Sequence, residues 1–432
     1  MTRAWGKRGW IVVSAIIIAL LLVLAIVFGL NASGMLGQQT AAQSSTTGQA
    51  SSPASPTASG TPSGSTSPSP SASSSPTSDP TSPAPSPAQQ VLAKLSLEQK
   101  IGQVLMVSSP VTGADANTLA ALNSMHVGNV FLKGRSYDGA PAVAALVNQL
   151  KATVTAKSTG GVKQFVATDQ EGGLVQIMNG PGFSAMPSAI DQTGVSPAQL
   201  KLEATTWGKQ LAAAGVNVNF APVLDTVPSA AFAPQNAPIG HFGRQYGYTP
   251  QAVSSYGVSA ALGFAASGVA PTVKHFPGLG RVTENTDVAS GVTDPTTSRN
   301  DPYLQPFKDA VSSGVRWVMV SNALYPRIDA TNIAPFSPVV IKQMLRGDLG
   351  FDGIVVSDDI CDAVQLSPYA VAARGVNFLA AGGTMALCTN QALLPAMYQG
   401  LVQRSKADPA FAKLVDAAAL KVLEIKAESR LL

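Results

Sequence analysis

The sequence predicts an α/β protein, a (β/α)8 TIM-type barrel preceded by an N-terminal transmembrane helix and a disordered linker. Three observations predict it. Eight apolar runs of strand length alternate with amphipathic stretches of helical length over roughly the last 340 residues. An uncharged run of 20 residues, 11–30, follows Arg3, Lys7 and Arg8. Between these regions the chain is almost entirely Ser, Pro, Thr, Ala and Gly.

The apolar run is long enough to span a bilayer as a helix. Its positive flank sets the N-terminus in the cytoplasm and everything after residue 30 outside. A cleaved secretory signal is the alternative, although its apolar core is usually only about 7–15 residues. No cysteine follows the run closely, which excludes a lipoprotein anchor at this end. Residues 1–36 are therefore expected to be a cytoplasmic stub and membrane anchor. Residues 37–90 have no apolar periodicity and cannot offset their ordering entropy, so they read as a disordered linker. That linker is either a plain tether or a glycosylated stalk. The expected location is the cell membrane, single-pass, with the folded part extracytoplasmic; secretion after signal cleavage is the alternative.

Residues 91–432 hold the barrel pattern. Ser96-Leu97-Glu98-Gln99 has the capping-box form and opens a short helix. Strands are predicted over 103–108, 127–132, 165–168, 218–221, 272–276, 318–321, 353–356 and 384–387. Helices are predicted between most of them, including 197–214, 250–266 and 338–348. An open doubly wound sheet is the competing architecture, and it would want a phosphate loop. Gly278-Leu279-Gly280 begins like one, but Thr283 takes the third glycine position, and the motif follows Pro277 with no helix opening there.

Composition excludes several functions. The net charge is only +4, and the three cations before the apolar run leave the rest near neutral, so nucleic acid is not an expected partner. His126, His241 and His275 lie far apart, and no metal site or cofactor is expected. Cys361 and Cys388 follow neighbouring strands of a barrel. They either form a disulfide, which an extracytoplasmic compartment permits, or remain two buried thiols. A monomer is expected.

In such barrels chemistry sits at the carboxyl ends of the strands. Polar residues gather there: Asp169 and Glu171 after the third strand, Asp225 after the fourth, and Lys274 with His275 closing the fifth. Ser321 and Asn322 end the sixth, and Asp358 and Asp359 the seventh. Each alone reads as a loop cap. Together they predict a cleft.

With these residues in place, the chain resembles glycoside hydrolase family 3, and most of all its single-domain bacterial β-N-acetylhexosaminidases acting on cell-wall amino sugars. LSLEQKIGQVLMV at 95–107, ATDQEGGLVQ at 167–176, GVNVNFAPVLD at 215–225, GRQYG at 243–247, KHFPGLG at 274–280 and GFDGIVVSDD at 350–359 carry the likeness. The resemblance implies Asp358 as the catalytic nucleophile, with Asp169, Arg244, Lys274 and His275 holding the sugar. The residues alone also allow Asp359 as the reactive group, Arg244 as a surface partner of Asp225, and Lys274 with His275 as a core pair.

One segment departs from the family. Its hexosaminidases carry a histidine, with an aspartate two positions before it, as acid/base after KHFPG. Here those positions hold Asp287 and Asn285, and Leu279 replaces the second histidine of KHFPGHG. Leu174 also stands where the family usually has arginine. Either Asp287, or next Glu284, acts as a carboxylic acid/base, or hydrolysis is lost. The loop is bracketed by Gly278, Gly280 and Gly291 with few large apolar anchors, so it is expected to close over bound sugar and carry Asp287 in. The resulting expectation is a retaining exo-β-glycosidase, a β-N-acetylhexosaminidase hydrolysing amino-sugar glycans, with peptidoglycan fragments among the candidate substrates. The alternative is a non-catalytic glycan-binding protein of the cell envelope.

Overall fold

The computed structural model describes residues 84–432. The anchor expected over 11–30 and most of the linker lie outside the described residues. Among the described residues no helix is long and apolar enough to cross a membrane.

Eight parallel strands form the barrel: β1 (Leu105–Pro110), β2 (Asn129–Lys133), β3 (Phe165–Thr168), β4 (Val218–Asn219), β5 (Ala270–Phe276), β6 (Trp317–Val320), β7 (Ile354–Ser357) and β8 (Ala386–Cys388). They pair in chain order, and β8 returns to β1 through Leu105 opposite Ala386. Between β7 and β8 the ladder narrows to one bridge, Val356 to Met385, so this seam is the thinnest of the ring. The strands fall within two residues of the sequence expectations. The strands are buried along almost their whole length because a barrel strand is covered on both faces.

Helices return the chain between strands. Pro197–Ala213 and Pro250–Ala266 start as expected, each with proline in the first turn and a Ser or Thr cap. The segment Val339–Asp348 is wound as a π-helix. Ser96 caps Leu97–Gln103 through the expected reciprocal bonds with Gln99.

One boundary is corrected. The linker was expected to run to residue 90, but Pro87–Leu92 is a helix. Ser86 and Gln89 close a second capping box there, and Ala88 is buried with Leu95, Val162 and Leu423. A six-residue helix is too short to show apolar periodicity, whereas its cap was readable.

The amino end of the barrel is plugged by Lys426 of the last helix, Pro409–Glu428. Its ammonium donates to Gln103 Oε1 at 2.7 Å and to the Gly128 carbonyl at 3.1 Å. Burial pushes this lysine well below its ordinary pKa. At the carboxyl end, Cys361 and Cys388 form a disulfide with Cα atoms 4.9 Å apart, choosing between the two states left open by the sequence. The bond spans the β7–β8 seam.

Candidate active site

Of the polar strand ends named from the sequence, Asp169, Lys274, His275, Asp358 and Asp359 line one cleft, and Glu171 and Asp225 are buried against lining residues. Ser321 and Asn322 do not line it: Ser321 bonds the Tyr325 hydroxyl and Asn322 donates to the Asp359 carbonyl. Asp169, Arg244, Lys274, His275, Asp287 and Asp358 all line one cleft of about 260 Å³. Phe131 and Phe220, stacked 5.3 Å apart, form part of its apolar floor with Met319 and Leu387.

The cationic wall is held by carboxylates. Lys274 Nζ lies 2.6 Å from both Asp169 Oδ1 and Glu171 Oε1. Arg244 grips Glu171 with two parallel bonds, Nε to Oε2 at 2.8 Å and Nη2 to Oε1 at 2.7 Å. Burial works to raise the pKa of Glu171, but Arg244 and Lys274 overcome it and hold this carboxyl at about 2. The same pairing raises Lys274 and Arg244 against their own desolvation. Glu171 was named from the sequence as a strand-end residue and given no role. The signal was available: two cations inside a barrel mouth need a buried anion.

Asp225 is the second supporting acid. It is fully buried and accepts from His275 Nδ1 at 2.7 Å, from the His275 backbone N–H at 3.1 Å and from Leu279 N–H at 2.8 Å. Binding the Nδ1 proton leaves Nε2 as the free acceptor. Arg244 Nη2 lies 3.5 Å from that atom. Two sequence-level alternatives fall here. Arg244 pairs with Glu171 rather than with Asp225, and Lys274 and His275 both line the cleft.

The two neighbouring aspartates after β7 have opposite surroundings. Asp359 is buried and saturated: it accepts from the backbone N–H groups of Cys361, Asp362 and Thr389 and from Thr389 Oγ1. Asp358 accepts only the Asp359 N–H, at 2.8 Å, and keeps its other oxygen free toward the cleft. Burial lifts its pKa to about 6; nearby His275 opposes the rise, and the charge of Asp287 adds to it. Asp359 thus braces the seam, and Asp358 is the carboxylate of the two left open to the cleft.

Asp287 lines the mouth of the cleft, exposed, whereas Glu284 is exposed and does not line it. The expectation of a mobile loop is corrected. Val282, Thr286 and Val292 are buried. Gln365 bonds both the N–H and the carbonyl of Val292, at 2.9 and 3.1 Å. The backbone N–H groups of Val364 and Gln365 donate to the carbonyls of Asp287 and Thr286. Asn236 Nδ2 further holds the carbonyls of Leu279 and Val282. Three glycines looked like hinges, but side-chain clamps from distant segments fix the loop, and these leave no local trace in sequence. Asp287 is already in place at the mouth.

Comparison with known proteins follows the same lines. Residues 96–425 match the sequence profile of the Glycosyl hydrolase family 3 N terminal domain. The chain is 33% identical over 266 residues to a beta-hexosaminidase of Stenotrophomonas maltophilia, covering 60% of this chain and 76% of that protein. A beta-hexosaminidase of Xanthomonas oryzae pv. oryzae is 31% identical over 303 residues, with 68% and 86% covered. Among solved structures, a beta-N-acetylhexosaminidase from Beutenbergia cavernae superposes with a TM-score of 0.76 at 47% identity, covering 77% of this chain and 99% of that one.

Proposed function

The chain belongs to glycosyl hydrolase family 3, and from that membership we propose that it is a retaining exo-β-N-acetylhexosaminidase hydrolysing amino-sugar glycans. The observation that carries the proposal is the contrast at the end of β7: Asp359 is saturated with hydrogen bonds while Asp358 faces the cleft with an oxygen free.

Asp169, Arg244, Lys274 and His275 hold the hydroxyls of the terminal sugar by charge-assisted bonds. The burial of Lys274 and His275 and the exposure of Asp287 at the mouth support a terminal sugar seated inward with its glycosidic oxygen toward Asp287. A cleft below the ~300–1,000 Å³ typical of larger ligands suits one ring at the end of a chain. Asp358 attacks the anomeric carbon, and Asp287 gives its proton to the departing oxygen, leaving a glycosyl ester on Asp358. Asp287, now a carboxylate, takes a proton from water as that water attacks the same carbon and frees Asp358. Water rather than phosphate is the acceptor, because an anionic Asp287 repels phosphate.

We also propose that the enzyme works outside the cytoplasmic membrane. The uncharged run over 11–30 with its positive flank supports an anchor. The Cys361–Cys388 disulfide supports an oxidising compartment.

The test is a panel of chromogenic β-glycosides, followed by a slow 2-fluoro substrate. The proposal expects turnover of the N-acetylhexosaminide and covalent label on Asp358. Label on Asp359 would overturn the assignment, and sugar binding without any turnover would leave the glycan-binding reading instead.

A further inference from the structure

The cleft has an inner half and an outer half of different chemistry. The inner half contains its only lining cations, Arg244 and Lys274. Both are committed, Arg244 to Glu171 and Lys274 to Asp169 and Glu171. The outer half holds Asp287 and Asp362, both exposed and both lining the cleft. Asp362 spends one oxygen on Asn390 Nδ2 at 2.9 Å and has the other free. With Asp169, Asp358 and Asp359 the lining carries five carboxylates against those two cations. The chain as a whole is positive at +4, so the negative cleft is a local arrangement and not a reflection of bulk charge.

Lys133 comes near this rim, but its ammonium donates to the carbonyl of Thr389 at 2.7 Å, and Lys133 does not line the cleft. Arg135 likewise donates to the carbonyl of Leu174 at 2.6 Å, outside the lining. Next in sequence to the outer-loop groups are two exposed apolar residues, Val288 beside Asp287 and Val364, whose N–H donates to the Asp287 carbonyl. Such a surface takes the apolar face of a sugar ring and, next to it, a neutral or positive substituent. It has no cation to receive a carboxylate.

We infer that the acceptor side of this cleft selects its substrate by charge, taking neutral or cationic aglycones such as N-acetylglucosamine or glucosamine units and rejecting anionic ones such as muramic acid. The substrate class is then a chito-oligosaccharide, including partly deacetylated chains, rather than a muramyl fragment. The physical cause is repulsion between an aglycone carboxylate and the carboxylate of Asp362 at the mouth, where Asp287 holds the proton it delivers to the leaving oxygen and offers no compensating positive charge. This inference rests on the hydrolase reading above and narrows it.

The experiment compares matched disaccharides on the full-length protein near pH 6.5. All carry a terminal β-N-acetylglucosaminyl residue. The second ring is N-acetylglucosamine, glucosamine, N-acetylmuramic acid, or the lactyl amide of N-acetylmuramic acid, which keeps the bulk and removes the charge. The expected result is a kcat/KM at least tenfold lower for the free lactyl carboxylate than for its amide. The glucosamine compound should be turned over at least as well as the N-acetylglucosamine one. Raising salt should shrink the carboxylate–amide contrast, since exposed charges are screened beyond ~10 Å at 0.1 M. Asp362→Asn should narrow the same contrast severalfold. Equal rates for carboxylate and amide, or a faster carboxylate, would overturn the inference while leaving hydrolysis intact. Failure to cleave any of the four, or an aryl β-N-acetylglucosaminide, would instead remove the hydrolase reading on which it rests.

Discussion

Asp358 illustrates how a site residue departs from the rules that stabilise a fold. Its carboxylate is desolvated without a cation of its own, and its pKa stands at about 6 against an ordinary 3.8. The folded form therefore binds this proton more tightly than the unfolded chain does. Stability falls as pH rises from the ordinary value to about 6, and the full penalty is present above that. Asp358→Asn should accordingly abolish turnover and stabilise the protein at pH 7–8 by about 1–3 kcal/mol. That gain should vanish at pH 4 and below. Thermal melts at the two pH values check this, and an equal shift at both would show that the carboxylate carries no such penalty. The same ionisation governs catalysis. The nucleophile must be anionic, so kcat/KM should drop roughly tenfold per unit below about pH 6. Asp287 is tested by its leaving-group dependence. In Asp287→Ala, hydrolysis of a poor leaving group should fall by roughly 10²–10⁴. An activated aryl glycoside should suffer less, and azide should restore its second step. Equal small losses on both would take Asp287 out of the mechanism.

At the scale of elements, the sequence was most informative where the chemistry is local. Strand positions, the Ser96 capping box and the polar strand ends all announce themselves within a few residues. The roles of Glu171, Asp225 and Gln365 did not, because they depend on partners 73, 50 and 73 residues away. The acid/base loop shows the difference. Its glycines suggested a moving lid, whereas Gln365 and the neighbouring backbone bonds hold it. Gln365→Ala leaves the buried N–H of Val292 without a partner, while its carbonyl keeps the Leu324 N–H, and costs about 1–3 kcal/mol. Freed from its clamp, the loop should lose hydrolysis of poor leaving groups more than of activated ones. A variant that is destabilised yet shows the wild-type leaving-group dependence would separate the clamp from catalysis. The opposite flank of the site is braced by the disulfide and by Asp359, both of which cross the β7–β8 seam where the strand ladder is thinnest. Replacing both cysteines by serine should lower stability by about 2–4 kcal/mol, read from denaturant midpoints.

For the molecule as a whole, the described residues 84–432 form one compact unit, with the barrel closed over its own core and the cleft lined from within it. Every group proposed for chemistry or sugar binding lies between Asp169 and Asp358, within the described residues. The role proposed for the run over 11–30 and the Ser/Pro/Thr-rich stretch after it is location. Two consequences can be measured together. Cell fractionation should leave the full chain with membranes. Protease added outside should release a core starting near residue 84, because exposed polar segments are cut in preference to packed ones. That core should hydrolyse small soluble β-N-acetylhexosaminides with an unchanged kcat/KM. A soluble mature form beginning soon after Ser33 would establish signal cleavage and refute the anchor. A released core with impaired turnover would show that the N-terminal part reaches the site after all.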